Sequence, residues 1–314
     1  MIPVISMLLM AAAPAAASVP KAAAYSALIE QDLRLATVGY RLASANAPFC
    51  KLKARNPGWV LHDEQQYPDR KIAASAFQFL QPVSIAATVA GGPADTAGMQ
   101  KGDGLVGINE VVWVWNRSAQ SKANSKRLES VFEQVDRELA IGGPVSVTLE
   151  TTRGVRSFEL DAPAVCASRF WVDVRDRKDA GADGDKVRIT SGMMNYVVDN
   201  AELAAVVAHE LAHNILGHRN KLNAVKRGKT KAILATEIEA DRLSVWLMAN
   251  AGYDTSAAIR FADRYGRDYG HGIFSAGTHL RWKSRAKVMQ AEIAQIAQTV
   301  RRAGKLPPPL LINK

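Results

Sequence analysis

The sequence predicts an α+β protein in two parts, a β-rich block followed by a mainly helical domain with a small edge strand or sheet. Three observations lead there. From Phe77 to about Ala162, short apolar runs such as FQFLQPVSIAATVAGG and INEVVWVW are cut by Gly and Pro, the texture of strands and turns. Past residue 186, AELAAVVAHELAHNILGH and ATEIEADRLSVWLMANAG are long runs with apolar residues at helical spacing. The chain has 314 residues, 48% hydrophobic and 22% charged, which is enough for two cores and excludes a disordered tail, a collagen and a small disulfide scaffold.

The elements follow in order. Residues 1–18 are apolar from Ile2 to about Met10 and then small, with Ala15-Ala16-Ala17 as an A-x-A cleavage site, and are expected to be a signal peptide although no Lys or Arg precedes Lys21. Residues 22–45 carry Leu28, Leu33, Leu35, Val38 and Leu42, the last three at three- and four-residue intervals, which predicts one amphipathic helix. Cys50 and Cys166 are the only cysteines; in an exported chain they read as a single disulfide, the alternative being two separate buried thiols. Within the β-rich block, Ser125–Leu139 reads as a helix, and VSVTLETT and VRSFEL as a hairpin turning at Arg153-Gly154. After the turn Gly181–Asp185 comes a strand, KVRITSG, then a helix capped by Asp199 or Asn200, and a last motif helix from about Thr236 to Gly252.

The chemistry concentrates in His209-Glu210-Leu211-Ala212-His213. Two His at i and i+4 share one helix face and reach one Zn²⁺, while the Glu after the first stands beside the metal, where it can take a proton from water. Val206, Val207, Leu211, Ile215 and Leu216 make that helix apolar nearly all round, so the polar trio lies in an interior where a metal offsets its burial. The continuation H-x-x-G-x-x-H is not met, because Leu216 and Arg219 occupy its places. Glu237 and Asp241 lie one turn apart on the next helix, whereas Glu239 points about 160° from the Asp241 face. His218 has two readings, a fourth ligand or a cation at a helix C-terminus; His62 and His271 have no motif around them.

Two resemblances sharpen this. Gly92-Pro93-Ala94, Ala97-Gly98-Met99, Lys101-Gly102-Asp103 and Ile108-Asn109 resemble a PDZ domain of the bacterial protease-associated type, which implies peptide binding by strand addition, with a structural spacer as the alternative. Ile189-Thr190-Ser191-Gly192-Met193, Glu202-Leu203-Ala204, His209 to His213 and Glu237-Ile238-Glu239-Ala240-Asp241 resemble the M48 family of zinc metallopeptidases, a zincin-type fold. That resemblance implies one Zn²⁺ per chain held by His209, His213 and Glu237, with Glu210 as general base and Asp241 orienting a ligand His. Gly277-Thr278-His279-Leu280 and Arg285 are similar to the family's T-H-P and Arg, with Leu280 in place of Pro. His279 is then the candidate donor to the oxyanion and Arg285 its orienting partner or that of a ligand; a helix-capping His is the other reading of His279.

The expected layout is therefore a signal peptide at 1–18, an N-terminal helical segment at 19–65 packing on the peptidase, a PDZ-like domain at 66–162 and an M48-like domain at 163–314. Substrate is expected to lie extended along the strand Val187, Arg188, Ile189, Thr190. The expected function is metalloendopeptidase action on exported or misfolded envelope proteins in the periplasm; the alternative is a PDZ-based scaffold with a structural or inactive metal site. No internal stretch supplies the roughly 20 apolar residues of a membrane span. The formal charge of +10 has a local source, since RNKLNAVKRGKTK (219–231) holds six basic residues and no acidic one. It contains no aromatic residue for base stacking, so the expected partners are polypeptides, peptide termini on the PDZ-like block and an anionic membrane surface, and not nucleic acid.

Overall fold

A computed structural model describes residues 21–115, 122–269 and 282–312; the expected signal segment and His279 lie outside the described residues. The chain opens with α1 (Lys21–Asn46), β1 (Lys53–Arg55), β2 (Trp59–Asp63), α2 (Arg70–Phe77), β3 (Val83–Thr88), α3 (Pro93–Thr96), β4 (Gly104–Ile108) and β5 (Val111–Val112). Next come α4 (Lys126–Ala140), β6 (Val145–Thr151), β7 (Gly154–Leu160), β8 (Ala164–Cys166), β9 (Arg169–Asp173), β10 (Ala180–Ala182) and β11 (Lys186–Thr190). The rest is helical: α5 (Ser191–Tyr196), α6 (Asn200–Ile215), α7 (His218–Ala224), α8 (Lys229–Asn250), α9 (Ser256–Tyr269), α10 (Trp282–Gln298) and α11 (Pro309–Ile312). Helix and sheet are mixed, as an α+β class requires.

The β-rich body is a sheet in the order β2-β3-β4-β6-β7, with β5 on β4. Its core joins Leu61, Ile85, Leu105, Ile108 and Leu149 to Leu128, Val131, Val135 and Leu139, the three- and four-spaced stripe of α4. The body starts earlier than residue 66, because β2 is one of its strands. This corrects the expected boundary: Trp59–Asp63 is a short strand behind a Pro57-Gly58 turn and reveals its place only through pairing with β3.

In the helical body, α6 and α8 pack against each other with α1, α9 and α10 around them. Leu35, Val38 and Leu42 of α1 enter this core, each burial contributing about 1.5–3 kcal/mol, while Leu28 and Leu33 turn to Tyr67 and Phe77 beside the β-rich body. The first helix therefore serves two cores. A three-stranded sheet, β10-β11-β9, flanks α6, with β11 antiparallel to β10 and parallel to β9. Here the expected substrate strand is corrected: Val187–Thr190 is the middle strand, paired on both sides, with Val187, Ile189 and Thr190 fully buried. A strand buried on both edges cannot accept another.

Two local features set the approach to the site. The N-terminus of α5 lies so close to the preceding chain that a Cβ on Gly192 would stand 1.8 Å from the Asp176 carbonyl oxygen, which restricts the position to glycine. Helix α6 is capped by Asp199, whose Oδ1 accepts from the Glu202 amide at 2.8 Å, and stops at Gly217, in the left-handed region at φ 65°. The basic run after it is α7, a short turn and the first residues of α8; lysine is a good helix former, and α8 starts seven residues before the expected Thr236.

Candidate metal centre

Helix α6 presents His209 and His213 one turn apart, and α8 places Glu237 opposite them. His213 Nε2 lies 3.2 Å from His209 Nε2 and 3.4 Å from Glu237 Oε1, and His209 Nε2 lies 3.3 Å from Glu237 Oε2. Donors about 2.0–2.1 Å from a tetrahedrally bound zinc are about 3.3 Å from one another; the two imidazole nitrogens stand at that spacing, each facing a different oxygen of the Glu237 carboxylate, and one donor atom from each of the three residues lies within 4.8 Å of the others. Glu210 is buried on the same helix, and its Oε1 has no hydrogen-bond partner among the described residues. An orphaned carboxylate oxygen beside three convergent donors fits a group that brings positive charge and water.

The charges around the triad are tightly held. Burial pushes the Glu210 carboxyl up to about 8, with the neighbouring His209 pulling the other way. For Glu237 burial is outweighed by the hydrogen bond and charge of His209, which bring it down to about 2. His209 is opposed by burial yet drawn up to about 9 by Asp241 and Glu237, whereas burial beside His209 pushes His213 down to about 3.

Behind the candidate ligands, Asp241 Oδ1 lies 3.0 Å from His209 Nδ1, the far side of that ring from Glu237. Arg285 of α10 grips Asp241 with both arms of its fork, Nε to Oδ2 at 2.8 Å and Nη2 to Oδ1 at 2.6 Å, and all three side chains are buried. Arg285 therefore holds the partner of a candidate ligand. Two further side chains join here: His218, read from the sequence as a fourth ligand or a helix C-terminal cation, stands behind His213, and Asn214, for which the sequence suggested no role, ties α6 to the sheet. Asn214 Nδ2 donates to Ser168 Oγ at 2.8 Å and to the Lys186 carbonyl at 3.2 Å, while its Oδ1 accepts from the Gly184 amide at 2.8 Å. Its only sequence signal was its place directly after His213.

With the geometry in place, the comparison with known families is specific. Residues 175–236 match Peptidase family M48. The matched span covers α5, α6 and α7, including His209, Glu210 and His213, and ends one residue before Glu237, whose place in the triad rests on the distances above. The chain is also similar to the mitochondrial metalloendopeptidase OMA1 of Arabidopsis thaliana, at 27% identity over 37% of this chain and 30% of that protein. It therefore spans less than a third of the curated relative that it matches. Among the described residues no helix is long and apolar enough to cross a membrane.

The centre has an edge strand at hand. In the β10–β11 ladder the Asp183 amide donates to the Lys186 carbonyl at 3.2 Å and the Thr190 amide to the Asp179 carbonyl at 3.0 Å. Hydrogen-bonded pairs alternate along an antiparallel ladder, so Gly181 also faces Arg188, and the main-chain groups of Ala180 and Ala182 face outward. A separate cavity of about 640 Å³ lies between β2, α4, α1 and β9, with Trp59, Leu128, Phe132, Arg169 and Trp171 among its walls. Arg169 spans it, its Nη2 3.0 Å from Asp136 Oδ2 and its guanidinium carbon 5.5 Å from the centre of the Phe132 ring. Cys50 and Cys166 are bonded at the base of the β-rich body, where β1 and β8 pair.

Proposed function

We propose that the protein is a zinc metalloendopeptidase that cleaves exported or misfolded envelope proteins. The observation that carries this reading is the convergence of His209 Nε2, His213 Nε2 and the Glu237 carboxylate, one donor atom of each within 4.8 Å of the others, with the buried, partnerless Glu210 Oε1 beside them. Zinc bound by His209, His213 and Glu237 would polarise the substrate carbonyl and make water a stronger acid. Glu210 does the proton work: its carboxylate takes a proton from the attacking water and hands it to the amine nitrogen as the peptide C–N bond breaks. A carboxyl raised by burial suits both halves of that transfer, since its acidity lies near working pH.

Substrate binding is assigned to β10 in place of β11. An extended peptide adding to the outward main-chain groups of Ala180 and Ala182 is held by contacts that ignore side-chain identity, which favours broad specificity. The groove between β2 and α4 is the natural seat for a peptide terminus on the PDZ-like body. The bonded Cys50 and Cys166 support an oxidising, extracytoplasmic location.

Hydrolysis of casein by the purified chain tests the reading. Glu210→Gln is expected to lose about 10²–10⁴-fold in rate while keeping its zinc, and His209→Ala to lose the metal. Equal casein hydrolysis by wild type and Glu210→Gln would instead point to a scaffold with a structural metal.

A further inference from the structure

We propose that His218 is a positioning residue for the metal ligand His213, with Glu239 fixing which of its nitrogens carries the proton. This rests on the metal reading above and deepens it. Gly217, in the left-handed conformation, turns the chain so that the first side chain of α7 folds back beneath α6. His218 is only 1% exposed there, and both ring nitrogens have partners: Nδ1 lies 2.9 Å from His213 Nδ1, and Nε2 lies 3.0 Å from Glu239 Oε2. It meets His213 on the side of the ring away from Nε2, the atom that faces His209 and Glu237. His218 is therefore behind the ligand, which removes the reading of a fourth ligand. It starts a helix, which removes the reading of a C-terminal cation.

The direction of each hydrogen bond follows from the carboxylate. Lys221 Nζ, 3.1 Å from Glu239 Oε2, favours the ionised acid, and an ionised acid only accepts. His218 Nε2 must then donate to Glu239, which leaves a lone pair on Nδ1 of the neutral ring. That lone pair accepts the Nδ1 proton of His213, so the His213 lone pair is on Nε2, aimed at the other two donors. His209 reaches the same state in one step, through Asp241 at 3.0 Å. Both ligand imidazoles thus end on a carboxylate, one directly and one through an imidazole spacer, and Glu239 is occupied as the anchor of that second chain.

Zinc affinity of the full chain, measured by competition with a chromophoric chelator, tests this without reference to hydrolysis. His218→Leu keeps most of the volume but offers no acceptor and should bind zinc about 10–100-fold more weakly. His218→Asn places an amide oxygen near the former Nδ1 and should stay within about threefold of wild type. Glu239→Ala, on a partly exposed side chain, should weaken binding about three- to tenfold, and the visible spectrum of the Co²⁺ form of His218→Leu should shift. Wild-type affinity in His218→Leu overturns the proposal, as does an equal loss in His218→Leu and His218→Asn. If His218→Leu does not fold, unchanged affinity in Glu239→Ala overturns it by itself. A wild-type chain that binds zinc but cleaves no protein sinks the peptidase reading alone, whereas casein cleavage with unchanged zinc affinity in His218→Leu sinks this one alone.

Discussion

Asp241 and Arg285 show what a single residue pair does for the centre. Asp241 is buried against His209 and gripped by Arg285; burial alone would make it a weaker acid, but the guanidinium holds the carboxyl well below the usual carboxylate range. Replacing it by Asn leaves the Arg285 charge buried without its partner, a loss of about 3–5 kcal/mol, to be read by urea unfolding of the metal-free protein at pH 7. The sign with pH is fixed: a depressed folded value gives stability that is fully present above the unfolded value of about 4 and is lost as pH falls through the folded one. The gap between wild type and Asp241→Asn should therefore not narrow between pH 7 and about 4, and should narrow only below that. A gap that closes between pH 7 and 5 would show that another group carries the effect. His209 with His213, and Glu237 with Asp241, were legible in the sequence as pairs because helical spacing puts each pair on one face, and Glu210 by its place directly after the first His; their roles as a set were what the family resemblance implied. The parts played by Glu239 and His218 were not, since they depend on where α7 folds back against α8, a contact between helices that spacing within one helix does not encode.

At the scale of elements, the strands near the site separate what pattern can and cannot tell. The run KVRIT was legible as a strand, yet nothing in five residues says whether its edges are free. Its neighbours, RFWVD and AGA, are too short and too mixed to announce themselves, and they turn the expected substrate strand into the middle of a sheet. The open edge falls to β10. Proline suits an edge strand, where the missing N–H faced away from the ladder, so Ala182→Pro should leave the sheet intact while removing one donor from an added substrate strand. Loss of one such hydrogen bond predicts about a three- to tenfold rise in KM for a peptide substrate, with zinc content and melting temperature near wild type. An unchanged KM would place the substrate elsewhere. Helix α8 teaches the same lesson from the other end, because Lys229 to Ala235 look like a continuation of a solvated loop and become helical only once the second half of the helix is anchored by Leu243, Trp246 and Leu247 in the core.

For the molecule as a whole, the β-rich body is an excursion from the helical one. The chain leaves along β1 and returns along β8, these two strands pair, and the bonded Cys50 and Cys166 lock the base of the stem across 116 residues of sequence. Closing a loop of that length contributes about 2–5 kcal/mol, chiefly by restricting the unfolded chain. The net charge of +10 is distributed with the same economy of position: Arg219, Lys221, Lys226, Arg227, Lys229 and Lys231 all lie exposed on α7, the turn after it and the start of α8, which link the His-bearing helix to the Glu-bearing one. A cluster of one sign at the rim of a site raises the local concentration of oppositely charged chains, and the effect decays over a Debye length of about 8 Å at physiological salt. Reversing Lys226, Arg227 and Lys229 together to Glu should therefore lower kcat/KM for an acidic protein such as casein by about three- to tenfold at low salt. The difference should vanish near 1 M salt, where the screening length is about 3 Å, and a neutral peptide should be cut equally by both forms at any salt. A loss that persists at high salt, or that extends to the neutral peptide, would mean that the segment shapes the site directly instead of attracting substrate to it.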